Sequence, residues 1–361
     1  MNIKSLLLGS AAALVVVSGA RAADAVVVAE PEPVEYVRVC DVYGAGFFYI
    51  PGTETCLAIS GYVWYQIAAE NWEVAGDTYS YHLGARAADG WAKTARARVN
   101  FDARSETEWG TLRGYIRFQS TWNGYNTVDG PVTVDQAYIQ LGGLMMGYTE
   151  SAWAATQYGG ATNWGSHSWS GLSYGYQQRD LIAYSFQGGN GFVGTISLEE
   201  DEGGNYVPDI VAKVGVNQGW GSAWVKAAYD ESDASWAASA GVQVNVPNMP
   251  GSSLRVIGFY TNSATNIYGS YYDAGLPVPA TQAANWSILA SYNHQFNAQL
   301  GASVGYQYFD AFGGAANGHL VELSVVYTPV TNFEIRGEVG YAKSNGLDGT
   351  LSGYLRFTRY F

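Results

Sequence analysis

Several stretches of the chain alternate regularly between polar and apolar residues. In residues 94–104 the even positions are polar and the odd positions are apolar. The same period of two recurs in residues 111–121 and again in residues 333–339. Successive side chains of a strand point to opposite faces of a sheet, so each stretch predicts a β-strand with one apolar and one charged face.

Segments of this kind follow one another from about Leu57 to Phe361, separated by Gly, Asn, Asp or Pro residues, which is typical of an antiparallel meander. The predicted strands are 57–69, 91–104, 110–122, 135–149, 153–158, 179–187, 191–200, 208–218, 220–230, 235–246, 251–262, 284–295, 298–309, 317–328, 332–344 and 349–361. A barrel of about sixteen strands encloses a water-filled lumen, whereas side chains fill a barrel of about eight.

A soluble β-sandwich is the alternative, because its strands also alternate and turn their apolar face to a core. Here, however, the apolar positions are often Ala, Gly or Val, and aromatic residues such as Trp91, Trp109 and Tyr148 lie near segment ends. Aromatic rings at strand ends suit the two interfaces of a membrane. The sequence therefore predicts an all-β fold, a transmembrane antiparallel β-barrel of about sixteen strands.

The N-terminus carries an export signal. Lys4 precedes an apolar run from Leu6 to Val17, and small residues surround position 22, which together predict a signal peptide over 1–22. An uncleaved anchor is the alternative, but the run is shorter than the ~20 residues that a spanning helix needs. We expect residues 23–56 to form an extended N-terminal segment and residues 57–361 to form the barrel.

The charge balance restricts the partners. The formal net charge is −13, which argues against nucleic acid as a partner. An acidic outer face would instead suit divalent ions that bridge to lipopolysaccharide, so outer-membrane lipid and lipopolysaccharide are the expected surroundings.

The two cysteines, Cys40 and Cys56, lie close together in a chain sent to an oxidising compartment, which predicts a structural disulfide. Closing a loop of about 17 residues would contribute roughly 3 kcal/mol. The four histidines are far apart, and none has a metal-ligand spacing with the cysteines. We expect no metal site and no cofactor.

Two motifs resemble functional sites. Residues 171–175 match the G-x-S-x-G pattern of nucleophilic hydrolases, with Ser173 as the nucleophile, but no helical period follows them. The acidic run from Glu199 to Glu202 lacks the alternating ligands of a calcium loop. A chance match in a glycine-rich loop and a solvated loop are the simpler interpretations, so we predict that the chain is not an enzyme.

Basic residues cluster between positions 86 and 117. On one interpretation they are solvated strand residues without a special role. On the other, arginines of adjacent strands line the lumen as a cationic wall that orients passing solutes. We expect the lumen to be lined by Arg96, Arg98, Arg113, Arg117, Arg336, Arg356, Asp102, Asp129, Glu334 and Glu338.

The sequence resembles the general diffusion porins of alphaproteobacteria over essentially its whole length. The resemblance is carried by the first nineteen residues, by VEYVRVCDVYGAGFFYIPGTETCL (34–57), by GGNGF (188–192) and by GYLRF (353–357). It implies a sixteen-stranded trimer in the outer membrane with a third loop folded inward. It also implies that the terminal Phe361 is a signal for the barrel-assembly machinery.

The chain departs from this family at two places that bear on conduction. Ala58 and Trp64 stand where family members carry basic residues, and the segment Asn123–Val134 is short for an inward loop, with Asp129 and Asp135 as its carboxylates. A wide lumen with fewer positive charges predicts high conductance and a mild cation preference.

Two hypotheses about function remain open at this stage. The first is an outer-membrane porin that passes small hydrophilic solutes and ions. The second is a barrel with a closed lumen whose loops serve as an adhesin or an anchor.

Overall fold

The computed structural model describes residues 38–71, 78–80, 84–86, 90–123, 130–154, 172–201, 205–271, 283–312, 317–346 and 349–361. All of these except Arg38 belong to one compact unit, Val39–Phe361. The predicted signal peptide, residues 23–37 of the predicted N-terminal segment, and Asp129 lie outside the described residues.

The described chain is built almost entirely of strands. Their bounds are β1 Phe47–Tyr49, β2 Cys56–Asn71, β3 Thr78–Ser80, β4 Gly84–Arg86, β5 Gly90–Thr107, β6 Gly110–Asn123, β7 Thr133–Leu141, β8 Leu144–Glu150, β9 Gln178–Gln187, β10 Phe192–Glu199, β11 Asp209–Gln218, β12 Gly221–Asp230, β13 Ser235–Asn245, β14 Ser253–Thr261, β15 Ser270–Tyr271, β16 Ala283–Ala284, β17 Trp286–Gln295, β18 Leu300–Asp310, β19 Gly318–Val330, β20 Phe333–Ser344 and β21 Thr350–Tyr360. Asp41–Tyr43 and Gly189–Gly191 form short 3-10 turns. No helix within the described ranges is long and apolar enough to cross a membrane.

One sheet of seventeen strands closes on itself, and sixteen of them form the barrel. β2, β5–β14 and β17–β21 pair antiparallel with their neighbours in chain order. The last strand then pairs with the first along a seam that runs from Tyr62 opposite Tyr360 to Asn71 opposite Leu351. The prediction of an all-β antiparallel barrel of about sixteen strands is confirmed.

The connections differ in length between the two ends of the barrel. At the end that also holds Phe361, the turns are short, as between β5 and β6 or between β19 and β20. We call this the short-turn end, and the opposite end the long-loop end. The third long connection runs over residues 151–177, between β8 and β9, and is called the third loop below.

Two predicted strands were wrong, and their errors cancel in the total. The predicted strand 135–149 is two strands, because Gly142 turns the chain with a φ of 55° between β7 and β8. Glycine adopts such a backbone without steric cost. The predicted strand 153–158 begins in a turn, and residues 155–158 lie outside the described part.

The segment before the barrel is fastened to its first strand. Cys40 and Cys56 form a disulfide, as predicted. β1 pairs with the first residues of β2 from Phe47 opposite Ala58, whereas β21 pairs with β2 only from Tyr62 onward. β1 therefore pairs with the first residues of β2, on the edge where β21 does not reach.

Candidate functional site

The two faces of the barrel wall differ sharply in chemistry. The outer face carries large exposed apolar side chains on nearly every strand, such as Ile59, Val225 and Leu323. The inner face carries most of the charged and hydroxyl side chains, many of them buried although they are polar. The functional chemistry of the described chain therefore lies on the inner face.

Nine of the ten residues predicted to line the lumen lie on the inner face of β5, β6, β20 and β21, and Asp129 is outside the described residues. Together with Arg104 and Asp135 these nine form a continuous surface that we call the charged wall. Lys93, which belongs to the basic cluster of the sequence, is exposed on the opposite face of β5.

Asp102 joins two arginines of the charged wall. Its Oδ1 accepts hydrogen bonds of 2.9 Å from the Nε atoms of both Arg104 and Arg113. Its Oδ2 accepts bonds of 2.8 and 2.7 Å from their second nitrogens. One carboxylate thus holds two bidentate guanidinium groups, which is the strongest geometry available to such a pair.

Asp135 joins a second pair of arginines farther toward the long-loop end. Its Oδ2 lies 3.4 Å from Arg98 and 3.5 Å from Arg117. Arg98 also donates to the side-chain oxygen of Gln119. These arginines keep about a fifth of their side-chain surface exposed, so the pair stays in contact with solvent.

Trp64, one of the two departures from the family pattern, lies between two arginines of the charged wall. The guanidinium carbon of Arg96 is 5.2 Å from the indole centre, and that of Arg356 is 4.8 Å from it. Arg356 also donates to the side-chain oxygen of Gln66 and covers the ring of Tyr354 at 4.6 Å. This cluster bridges the seam, because its residues come from β21, β2 and β5.

The remaining predicted residues lie on β20, beside the seam. Arg336 donates to Glu334 at 3.0 Å, and the hydroxyl of Tyr354 donates to Glu338 at 3.0 Å. Glu338 is almost fully buried, in contrast to the arginines near Asp135. The charged wall therefore has a solvated part on β5 and β6 and a more enclosed part near the seam.

The opposite side of the inner face carries a large apolar cluster among its polar side chains. This cluster consists of buried side chains from β11 to β20, which we call the apolar wall: Val211, Trp224, Ala228, Ala237, Ile257, Phe259, Leu289, Phe309, Leu320 and Ala342. Both described ends of the third loop pack on it, through Trp153 and Leu172. The described ends of the third loop therefore lie inside the lumen, against the apolar wall.

Two buried lysines hold the start of the third loop. Lys226 donates to the main-chain oxygen of Trp153, and its ammonium lies 4.6 Å from the centre of the Trp153 ring. Lys213, directly opposite Lys226 on the neighbouring strand, donates to the oxygen of Ala154 at 3.2 Å. At the other end of the loop, the side chain of Gln307 bonds both backbone groups of Ser173.

Carboxylates hold the loops at the long-loop end. Glu199 accepts a bond from the backbone N–H of Ala152 at 3.0 Å. The hydroxyl of Tyr268 donates to Asp209 at 3.0 Å and to Glu199 at 3.3 Å. Burial, followed by the two neighbouring carboxylates, raises the pKa of Tyr268 well above the usual value, so the hydroxyl keeps the proton that it donates.

These contacts correct the prediction about the inward loop. The segment Asn123–Val134 is the second long connection, and Asp135 is a residue of β7. The third loop is the 151–177 connection, so the expectation of a wide lumen was based on the wrong connection. Sequence reasoning also missed Lys213, Lys226 and Arg255, although each stands at an inward position of an alternating strand.

The two motifs have ordinary structural roles where they are described. Residues 172–177 are irregular and lead directly into β9, so Ser173 lacks the strand, turn and helix of a nucleophile elbow. Gly171 and residues 202–204 lie outside the described residues. Among the described side chains, no three acidic, histidine or cysteine residues are grouped in a way that could hold a metal ion.

Comparisons with known proteins agree with this architecture. The family model described as the porin subfamily matches residues 24–354. The chain is also 36% identical to the porin Omp2b of Brucella suis biovar 1 over 407 residues, covering 100% of both chains. The chain belongs to the porin subfamily.

Solved structures support the fold of this porin. The outer membrane channel DcaP of Acinetobacter baumannii matches 87% of this chain and 99% of its own, with a TM-score of 0.67 and 14% identity. The trimer form of OmpT from Vibrio cholerae matches 86% of this chain and 100% of its own, with a TM-score of 0.57 and 12% identity.

The porin is an integral outer-membrane β-barrel that passes solutes by diffusion, and it is not an enzyme. In barrels of this kind the short turns face the periplasm and the long loops face the cell exterior. Solutes from outside therefore meet the carboxylates at the long-loop end first and the charged wall afterwards.

Proposed function

We propose that small hydrophilic solutes and ions diffuse along the charged wall, while the third loop narrows the lumen from the apolar wall. The observation that carries this proposal is the division of the inner face. The apolar wall is covered by Trp153, Leu172 and Tyr268, whereas Arg98, Arg104 and Arg113 retain solvent contact. A hydrated path needs polar walls, and the charged wall provides one.

The lining residues of this path are the nine predicted residues that the structure describes, with Arg104 and Asp135 added. They are Arg96, Arg98, Arg104, Arg113, Arg117, Arg336, Arg356, Asp102, Asp135, Glu334 and Glu338. Because Asp102 and Asp135 are each shared between two arginines, the wall presents alternating charges of both signs. We expect weak selectivity that declines with salt, since exposed charges interact little beyond about 8 Å at physiological ionic strength.

Liposome swelling with a graded series of sugars tests the open path. We expect entry of the smaller sugars and a cut-off within the series. Exclusion of even the smallest sugar would support the closed-lumen alternative, an adhesin or anchor, and would end the proposal.

We further propose that the porin assembles as a homotrimer through the outer face of its first strands. Ile59 and Val63 are about half exposed there, at 47% and 52%. Ile67 lies on the same face of β2, and Val99 and Phe101 lie opposite on β5. Barrels gain stability when apolar outer surfaces pack against one another. Native mass spectrometry in mild detergent should show three chains, and finding monomer alone would refute this.

Phe361 is proposed as the signal for the barrel-assembly machinery, and the lipid partners are proposed to be outer-membrane lipid and lipopolysaccharide. Phe361 is half exposed at the short-turn end, and its backbone bonds both groups of Gly61 on β2. Deleting Phe361 should slow insertion into the outer membrane in cells but leave refolding into lipid vesicles intact. If the deletion impairs insertion in cells and refolding into vesicles equally, Phe361 acts only in closing the barrel.

A further inference from the structure

The inner face of β17, β18 and β19 contains a group of buried oxygens without a hydrogen-bond partner in the described part of the chain. Within the described chain, both carboxylate oxygens of Glu322 lack a hydrogen-bond partner, as do the hydroxyls of Ser303 and Ser324 and the side-chain oxygen of Asn293. Glu322 and Ser324 are at most 1% exposed, and Ser303 is 3% exposed. Leaving such groups unsatisfied is costly, most of all for a carboxylate.

The strand register brings these oxygens together. Asn293 is opposite Ser303, Ser303 is opposite Ser324, and Ser324 is opposite Glu338 on β20. Glu322 precedes Ser324 by two residues, on the same face, with glycines opposite it on both neighbouring strands. Directly opposed side chains of antiparallel strands have Cβ atoms about 5 Å apart. These oxygens therefore form one connected patch, which we call the oxygen patch: Asn293, Ser303, Glu322 and Ser324. Glu338, which accepts a hydrogen bond from Tyr354, borders it.

The charges around the oxygen patch do not balance. The described inward side chains of β18 to β21 include three carboxylates, Glu322, Glu334 and Glu338, but two guanidinium groups, Arg336 and Arg356. Arg336 is already bonded to Glu334. The third loop offers no compensation, because residues 151–177 contain neither lysine nor arginine. Among the described inward side chains of β18 to β21, carboxylates therefore outnumber guanidinium groups by one.

We propose that the oxygen patch binds a monovalent cation, with the Glu322 carboxylate as principal ligand and the Ser303 and Ser324 hydroxyls as neutral ligands. Carboxylate and hydroxyl oxygens are suitable donors for hard cations. One excess negative charge on these strands favours K⁺ or Na⁺ over a divalent ion, and the described residues contain no group of three acidic, histidine or cysteine side chains that could hold a metal ion. Water would satisfy the hydroxyls but would not neutralise the carboxylate.

This site would let the porin bind cations beside the charged wall. The proposal depends on the proposed function in one respect, because cations from solution must reach the inner face through an open lumen. The test uses a folded barrel in detergent and does not measure conduction. A negative result for cation binding can therefore be told apart from a closed channel.

The experiment compares thermal unfolding in KCl and in N-methyl-D-glucamine chloride at equal ionic strength and fixed pH. The organic cation is too large for the patch, whereas ion binding to the folded state raises the unfolding midpoint. We expect a higher midpoint in KCl, complete loss of that difference in Glu322→Gln, and a smaller difference in Ser324→Ala. Glu108→Gln removes the same charge from the exposed turn between β5 and β6 and should retain the full difference.

Three outcomes would overturn the proposal. The native porin could show the same midpoint with both cations, or Glu322→Gln could retain the difference. When the comparison is repeated at several pH values, a midpoint that follows pH but not the cation would show that a proton neutralises Glu322 instead. Misfolding is not expected to confuse the result, because Glu322→Gln preserves volume and removes a buried charge.

Discussion

Replacing Trp64 by alanine tests the cluster that closes the barrel seam. Trp64 is 5% exposed, and its ring contacts the guanidinium groups of Arg96 and Arg356 from neighbouring strands on either side. Each cation–π contact contributes about 0.5 to 2 kcal/mol, depending on desolvation. Truncating a buried Trp costs about 3–5 kcal/mol in a dry core. Water can enter from the lumen, so we expect Trp64→Ala to lose about 3 kcal/mol.

The assay is equilibrium unfolding in urea, followed by far-UV circular dichroism in lipid vesicles. Trp64→Phe is the matched variant, because phenylalanine keeps an aromatic face and should lose about 1 kcal/mol. The guanidinium charges survive in both variants, so the reversal potential in a salt gradient should change little. Arg96→Gln, in contrast, removes a charge and should shift the reversal potential toward cation preference.

Two results would refute this reasoning. A loss below about 0.5 kcal/mol in Trp64→Ala would mean that the ring contributes only what an exposed contact does. An unchanged reversal potential in Arg96→Gln would mean that the charged wall does not border the conducting path.

Three further predictions concern the loops and the disulfide. Trp153→Ala should raise single-channel conductance, because the third loop loses its main contact with the apolar wall; unchanged conductance would contradict its role in narrowing the lumen. Replacing Cys40 and Cys56 by serine should lower the free energy of unfolding by up to roughly 3 kcal/mol in urea titrations, with reduced wild type as the control. Tyr268 should not ionise near pH 10, where exposed tyrosines do; the difference in tyrosinate absorbance between wild type and Tyr268→Phe measures this. Because its folded pKa is raised, its contribution to stability should persist through pH 10 and be lost only at higher pH.

The barrel could be predicted from the sequence because alternation is a local property. Successive side chains of a strand point to opposite faces, so the even or odd position number of Arg96 and Phe101 shows which face each occupies. The turn at Gly142 and Gly143 was missed because apolar residues, Leu141 and Leu144, flank it without the usual polar turn residues. The two glycines were the only residues at this position that indicated a turn.

The division of the lumen could not be predicted in the same way. Alternation assigns Lys213 and Arg98 equally to the inner face, but it does not say which of them a loop covers. That depends on where the third loop packs, and this contact joins Trp153 to Phe259 and Tyr268, more than a hundred residues away. Likewise, the alternation places Glu322 on the inner face but does not show that its carboxylate has no hydrogen-bond partner among the described residues.

The placement of charge along the path explains how an acidic protein can carry an arginine-rich lumen. At the long-loop end, the strand ends and turns that are described are acidic, with Glu199, Asp209, Asp230 and Asp233 among them. Below them lies the charged wall, where seven arginines face four carboxylates on β5, β6, β7, β20 and β21. An anion is repelled at the entrance and attracted at the wall, and a cation meets the reverse order. Two opposed fields in series cancel much of each other's selectivity, and screening removes more of both as salt rises. Weak selectivity therefore follows from the arrangement of charges, also in the narrowed lumen that we propose.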